Sequence, residues 1–443
     1  MKLTARHGAT VLALIFATAC DASHEDVAAD KAALADDTQA TGKADHLDIC
    51  AGWDWYDDDF CDDPYGWCAQ PDPDCGPDGD SCAEGWTWSG LASEGCVEAE
   101  ASEPATFSEP QIVGQRPSTS FSMNGWASVA VDNQGGVHLV YPDFVRRVTY
   151  VSPEDNWEPH ILDNSLAAYR GLTIAADESV HVAVIDSDYD LNYLLLDGAT
   201  IADREVLPTF ARTVGMALGA EETHLVYGAG ELTSSVGSSS GTLGSMTAAS
   251  VVALTNIDEA RNAPSVTVDE SGVIHAVYGT SPVAYNLSSS AQIRHAWRAP
   301  SGTWQDEFLD RATWEGGAIT VQSDGNLFAA YRAFVDGAQT LMIAEHDGSA
   351  WQTQPLFGAG VQGSAANTIT SADGTVHVVY WQSGGIEHVE RRPGGAWTEP
   401  TVLDSSASMI SSDRISIALG PDDSVHVAYS DIQSREVRYV SRP

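Results

Sequence analysis

The sequence predicts an all-β protein: a seven-bladed β-propeller closed by an N-terminal strand and preceded by a small disulfide-rich module. Three observations carry this. A hairpin pattern recurs seven times, further strand-like segments follow most copies, and a short segment far upstream supplies the one strand the last copy lacks.

The repeat comes first. "SVAVDNQGGVHLVY" (128–141), "GLTIAADESVHVAV" (171–184), "GMALGAEETHLVY" (215–227) and "SVTVDESGVIHAVY" (265–278) align with one another. So do "AITVQSDGNLFAAY" (318–331), "NTITSADGTVHVVY" (367–380) and "SIALGPDDSVHVAY" (416–429). Alternating apolar residues on either side of an Asp/Gly turn describe two antiparallel strands joined tightly. A third strand follows in "RRVTYVS" (146–152), "QIRHAWRA" (292–299) and "REVRYVS" (435–441). A fourth begins at an aromatic residue, as in "NWEPHIL", "TWQDEFL", "AWQTQPL" and "AWTEPTVL". Four strands at intervals of 43 to 53 residues are the period of propeller blades. Radial repetition lets each blade bury its faces on its neighbours, so residues 104–443 need no single growing core.

The seventh copy reaches Pro443 after its third strand. "FSEPQIV" (107–113) matches "WTEPTVL" (397–403), a fourth strand with no blade in front of it. It is expected to complete blade 7 and close the ring, which removes an exposed edge. Blade 3 carries an irregularity: residues 228–250 are rich in Gly and Ser and are expected to form a long, mobile connection or a weak hairpin.

Ahead of the propeller the chain reads as three shorter parts. Residues 1–19 have a basic head and an apolar stretch, the pattern of an export signal. "FATAC" resembles a bacterial lipobox, which implies a lipid on Cys20, a Gram-negative source and a lipid-anchored place in the cell envelope, on the periplasmic side or at the surface. Cysteine arithmetic agrees: of seven cysteines, six remain for pairing once Cys20 is set aside. Residues 20–48 are Ala/Asp-rich without aromatics and read as a disordered tether.

Residues 49–97 hold Cys50, Cys61, Cys68, Cys75, Cys82 and Cys96 with five tryptophans. So short a segment needs covalent staples, and three disulfides with open connectivity are expected. No Cys-x-x-Cys pair points to zinc. Asp72, Asp74, Asp78 and Asp80 alternate around glycines, a set of hard oxygen ligands that suits calcium; the competing reading is a solvated acidic knot around a tryptophan core. Calcium is the one cofactor the sequence suggests.

Formal net charge is −42, and no lysine follows Lys43. Such a surface repels nucleic acid and anionic lipid, leaving neutral sugars, cations and basic proteins as partners.

The turns before the fourth strands, "HDGSAW" (346–351), "PSGTW" (300–304) and "PGGAW" (393–397), resemble degenerate Asp-boxes. On them, residues 104–443 resemble the sialidase-like, BNR-type propellers. The resemblance implies the propeller fold and a glycan-related role. Sialidases of that type have six blades and an early Arg-Ile-Pro; this chain has seven repeats and "QRPS" (115–118) instead. Binding is therefore expected rather than hydrolysis: recognition of glycan or a cell-surface protein through one propeller face. A glycan-active enzyme, lyase or hydrolase, and an assembly scaffold are the alternatives.

Candidate site residues are those that break the repeat. Six histidines (His138, His181, His224, His275, His377, His426) recur at one position, with Phe328 in blade 5, and so read as architecture. Arg170, Arg212 and Arg414 each lie just before the first strand of their blade, where they could ring one mouth of the channel and fork onto an anionic sugar substituent. Trp126 and Trp314 stand at comparable positions and could stack on a sugar. "GSSSG" (237–241) matches a nucleophile pattern in the wrong setting, since an all-β repeat offers no strand-to-helix elbow.

Overall fold

In the computed structural model the described residues are 106–115, 127–164, 171–229, 235–253, 264–280, 291–312, 316–358, 363–409 and 414–443, with the strands Trp86–Trp88 and Cys96–Glu98 ahead of them. Contacts divide the chain into two units, Met1–Pro104 and Ala105–Pro443. Within the first, Trp86–Trp88 pairs antiparallel with Cys96–Glu98. The tether, the aspartates of the calcium reading, Cys20 and the cysteines up to Cys82 lie outside the described residues. Among the described residues no helix is long and apolar enough to cross a membrane.

The second unit is a seven-bladed β-propeller. Seven four-stranded antiparallel sheets follow one another, each ordered from an inner strand outward. The inner strands are Ser128–Val131, Gly171–Ala176, Ala211–Leu218, Ser265–Val268, Gly317–Val321, Ser364–Thr370 and Ser416–Leu419. Each touches the next, and the seventh touches the first, so the ring is closed. Six blades take their four strands in chain order. Blade 7 takes Ser416–Leu419, Val425–Ser430 and Glu436–Arg442, then adds Gln111–Gln115 as its outer strand. Ser108 extends the pairing, its amide donating to the Ser441 carbonyl at 2.7 Å. The "FSEPQIV" segment thus closes the ring as its likeness to "WTEPTVL" anticipates.

The core is divided among the blade interfaces. Seven hydrophobic clusters lie among the described residues, one at each of the seven seams. Leu139, Val182, Leu225, Val277, Leu341, Val378 and Val427 are fully buried in them. Each such side chain contributes roughly 1.5–3 kcal/mol relative to exposure. Polar contacts join the inner strands where they crowd the axis. Ser416, Ser128 and Ser265 use their hydroxyls to accept the amides of Val129, Ile174 and Ile319 on the following blade. Asn367 donates its side-chain amide to the Ile415 carbonyl in the same sense.

In blade 3 the hairpin alternative holds for the described part of the Gly/Ser-rich stretch: Ser235–Gly241 and Thr247–Ala253 pair antiparallel as third and fourth strands, with one register shift at Val236–Gly237. The reason is steric. A Cβ on Gly237 would collide with the Tyr227 ring, so the small residues are what lets this strand lie against its neighbour. The seam to blade 4 has the smallest apolar cluster, and hydrogen bonds supplement it. Trp304 donates to Ser238 at 2.9 Å, and Arg298 donates to Ser240 at 2.7 Å.

Candidate ligand-binding site

The recurring histidines are pillars of the blades. His138 Nδ1 meets the Tyr150 hydroxyl at 2.8 Å, and its Nε2 meets Asp132 in the preceding turn at 3.0 Å. Asp132 also accepts the Gln134 and Gly136 amides, which fold that turn. Burial works against its charge, but His138 and these amides outweigh it and hold the carboxyl below its usual range. One side chain therefore ties turn, second strand and third strand together. His181 bonds Tyr193 at 2.6 Å, His426 bonds Tyr439 at 2.6 Å, and His224 bonds Ser240 at 3.0 Å in the same way. Blades 4 and 6 place a histidine where blades 1, 2 and 7 place tyrosine. His275 meets His295, and His377 meets His388, each with Nδ1 to Nε2 at 3.1 Å.

The repeated tyrosines are likewise structural. Tyr331 donates to Asp310 of blade 4 at 2.7 Å, and Tyr429 to Asp404 of blade 6 at 2.7 Å. Burial, with nearby carboxylates, pushes their phenols far above the ordinary range.

Of the residues expected at the channel mouth, Arg170, Trp126 and Trp314 lie outside the described residues. Arg212 lies in the inner strand of blade 3, Ala211–Leu218, and Arg414 just before that of blade 7, Ser416–Leu419. Both are half-buried. The Arg212 Nε is enclosed without a hydrogen bond. Burial pulls the Arg414 guanidinium down to about 10. It remains charged at neutral pH. Each stands where the inner strand of its blade begins. Ser239 of "GSSSG" sits mid-strand and fully buried, so it presents no exposed nucleophile.

The sequence reading missed a cleft on blade 5. It encloses about 280 Å³, lined by Gln322 and Asn326 from the inner hairpin, Glu345, His346 and Asp347 from the end of the third strand, and Gln352, Thr353 and Gln354 from the fourth. The turn "HDGSAW" builds one wall. Asp347 accepts the Ser349 hydroxyl at 2.6 Å and the Ser349 and Ala350 amides at 2.9 and 3.1 Å. The hydroxyl and then the amides hold its carboxyl down to about 2. The Gly348 amide donates to His346 Nδ1, so the neutral ring carries its proton on Nε2. Arg391 of blade 6 grips both Glu345 oxygens, at 2.8 and 3.0 Å, and fixes the back of the cleft. The signal was present in the sequence: "WQTQP" (351–355) places glutamines where the other fourth strands have none in alternation.

No family model and no curated protein matches the sequence. Solved structures with a similar backbone include a protein of unknown function from Dyadobacter fermentans, at 12% identity and TM-score 0.47, covering 77% of this chain and 99% of that one. An α-L-arabinanase of Penicillium chrysogenum shows 11% identity and TM-score 0.46, over 76% of this chain and 98% of its own. A six-bladed fucose-recognising lectin of Aleuria aurantia shows 12% identity and TM-score 0.44, over 71% and 91%.

Proposed function

We propose that the chain is an exported glycan-binding protein, lipid-anchored at Cys20 in the cell envelope, that holds a neutral sugar in the blade 5 cleft. The observation that carries this is the cleft's lining. The amides of Gln322, Asn326, Gln352 and Gln354 each offer donors and an acceptor, and hydroxyl groups of a sugar are both. About 280 Å³ is at the small end of ligand pockets, which suits one or two sugar rings. Glu345 and Asp347, with a net charge of −42, disfavour acidic sugars.

Binding is favoured over hydrolysis. A general acid must be protonated near neutral pH; of the two carboxylates in the cleft, Glu345 is gripped through both oxygens by Arg391, and Asp347, bonded by the Ser349 hydroxyl and two amides, is held ionised down to about 2. The sialidase-like resemblance supports a glycan ligand through the same turn, since "HDGSAW" contributes Asp347. The six cysteines are proposed to form three disulfides, and Asp72, Asp74, Asp78 and Asp80 a calcium site that stabilises that module.

The test is a glycan array probed with residues 21–443, with calcium and with chelator, every hit being checked for cleavage. Neutral glycans should bind without turnover. Gln352→Ala with Gln354→Ala, both exposed positions, should weaken binding at least tenfold. An array silent throughout, or a double variant that binds as well as the parent, overturns the reading. Turnover would replace it with the enzyme reading.

A further inference from the structure

Blade 6 differs from the other blades at its pillar. His377 and His388 face each other at 3.1 Å as expected of the His–His version. Here a carboxylate joins them on the side where their facing nitrogens meet: Glu390 Oε2 lies 3.5 Å from His377 Nδ1. The three donor atoms all lie within 4.8 Å of one another. Blade 4, with the same His–His pair, has its carboxylate elsewhere. There Glu307 engages His295 Nδ1, the nitrogen pointing away from His275. Among the described residues, only the blade 6 group converges three such donors.

We propose that His377, His388 and Glu390 form a binding site for a divalent transition metal of the Zn2+ class. Two imidazoles and one carboxylate are a donor set zinc takes, with bonds of about 2.0–2.2 Å. Tetrahedral ligands at that length stand roughly 3.3–3.6 Å apart. The spacings of 3.1 and 3.5 Å lie within a few tenths of an ångström of that, and the third, between His388 and Glu390, is within 4.8 Å. An ion would take the place of the hydrogen bond that His377 Nδ1 and His388 Nε2 share. Both histidines are nearly fully buried.

The surroundings bear on affinity and access. Arg442, at the end of the third strand of blade 7, holds Glu390 Oε2 at 2.6 Å. It orients the carboxylate, and as a neighbouring cation it also weakens the site. Glu390 and Arg442 are 22% and 19% exposed, while the Oε2 that faces the histidines is itself enclosed, so an ion enters only as these two side chains shift. Phe107, from the closing segment, sets its ring edge-on to His388 at 5.0 Å, and Arg442 lies over the same ring at 5.3 Å. A metal here would bind where blade 6, blade 7 and the closing segment meet.

The competing reading is a pillar and nothing more, and the ring supplies its own control. His388→Tyr restores the His–Tyr pair of blades 1, 2 and 7 while removing a ligand. Residues 21–443 would be titrated with Zn2+ and Co2+, followed by calorimetry, by Co2+ visible spectra and by melting. The parent should bind one ion more than His388→Tyr, show four-coordinate Co2+ bands that the variant lacks, and gain roughly 5 °C in Tm at a hundredfold excess of zinc over Kd. The metal-free variant should melt within about 2 °C of the parent. Glu390→Gln, which leaves the histidine pair in place, should lower zinc affinity at least tenfold. Equal stoichiometry and affinity in parent and both variants, or a parent without the Co2+ bands, overturns the proposal. Neither result depends on glycan binding.

Discussion

A histidine that ties a turn to two strands works best when it is neutral, and that gives the molecule an acid-sensitive joint. Burial lowers the pKa of His181, His224, His275 and His426 below 6.5, against the pull of neighbouring carboxylates in all but partial measure. His295 is lowered to about 4, first by burial and then by His275 and His346, with Glu307 acting the other way. Its folded form resists a proton that the unfolded chain accepts. The stability it contributes is complete above about pH 6.5 and is lost as pH falls from there through about 4. Because His295 lies against His275 and Glu307, the decline belongs to the linked group rather than to one ring. Urea unfolding at stepped pH should show this decline. His295→Tyr, the residue other blades use, should flatten it. An unchanged slope in the variant would assign the acid sensitivity elsewhere.

At the scale of the strand, the closing segment has the largest effect. Pairing of Gln111–Gln115 with Glu436–Arg442 covers the outer edge of blade 7. Gly114 lies against the Tyr141 ring of blade 1, with no room for a Cβ. Trp157 of blade 1 donates to Gln111 at 3.1 Å across the same seam. Deleting residues 104–114 should lower the melting temperature of the whole propeller. Gly114→Val should do so in part, by about 1–3 kcal/mol of overpacking. Deleting 21–97 should leave the propeller transition in place, as followed by calorimetry. The strand order is legible in the sequence because pairing and turns leave local marks: alternation, Asp/Gly turns and an aromatic before the fourth strand. The seam contacts are not legible, because Ser128 and Ile174 or Trp304 and Ser238 belong to different repeats. The third strand of blade 3 is ambiguous in sequence for a related reason: its glycines and serines resemble a linker, and only the Tyr227 ring shows why they are needed. The cleft is half legible. "HDGSAW" stands out as a turn, but its convergence with Gln322 and Asn326 depends on how the inner hairpin lies beside it.

For the whole molecule, the strong acidity of the propeller and of the segments before it works against contact with anionic surfaces. On the proposed lipid at Cys20, retention would rest on the anchor. Cys20→Ser should therefore move it from the membrane fraction to the soluble fraction of cells, read by fractionation; unchanged fractionation would remove the lipid from the proposal. Ring closure has one further consequence. Ser108 and Ser441 bond across 333 positions of sequence, and contacts so distant form slowly. Synthesis from the N-terminus makes the closing strand first and its partner, Glu436–Arg442, more than three hundred residues later. A product that stops between them is left with an unsealed circle.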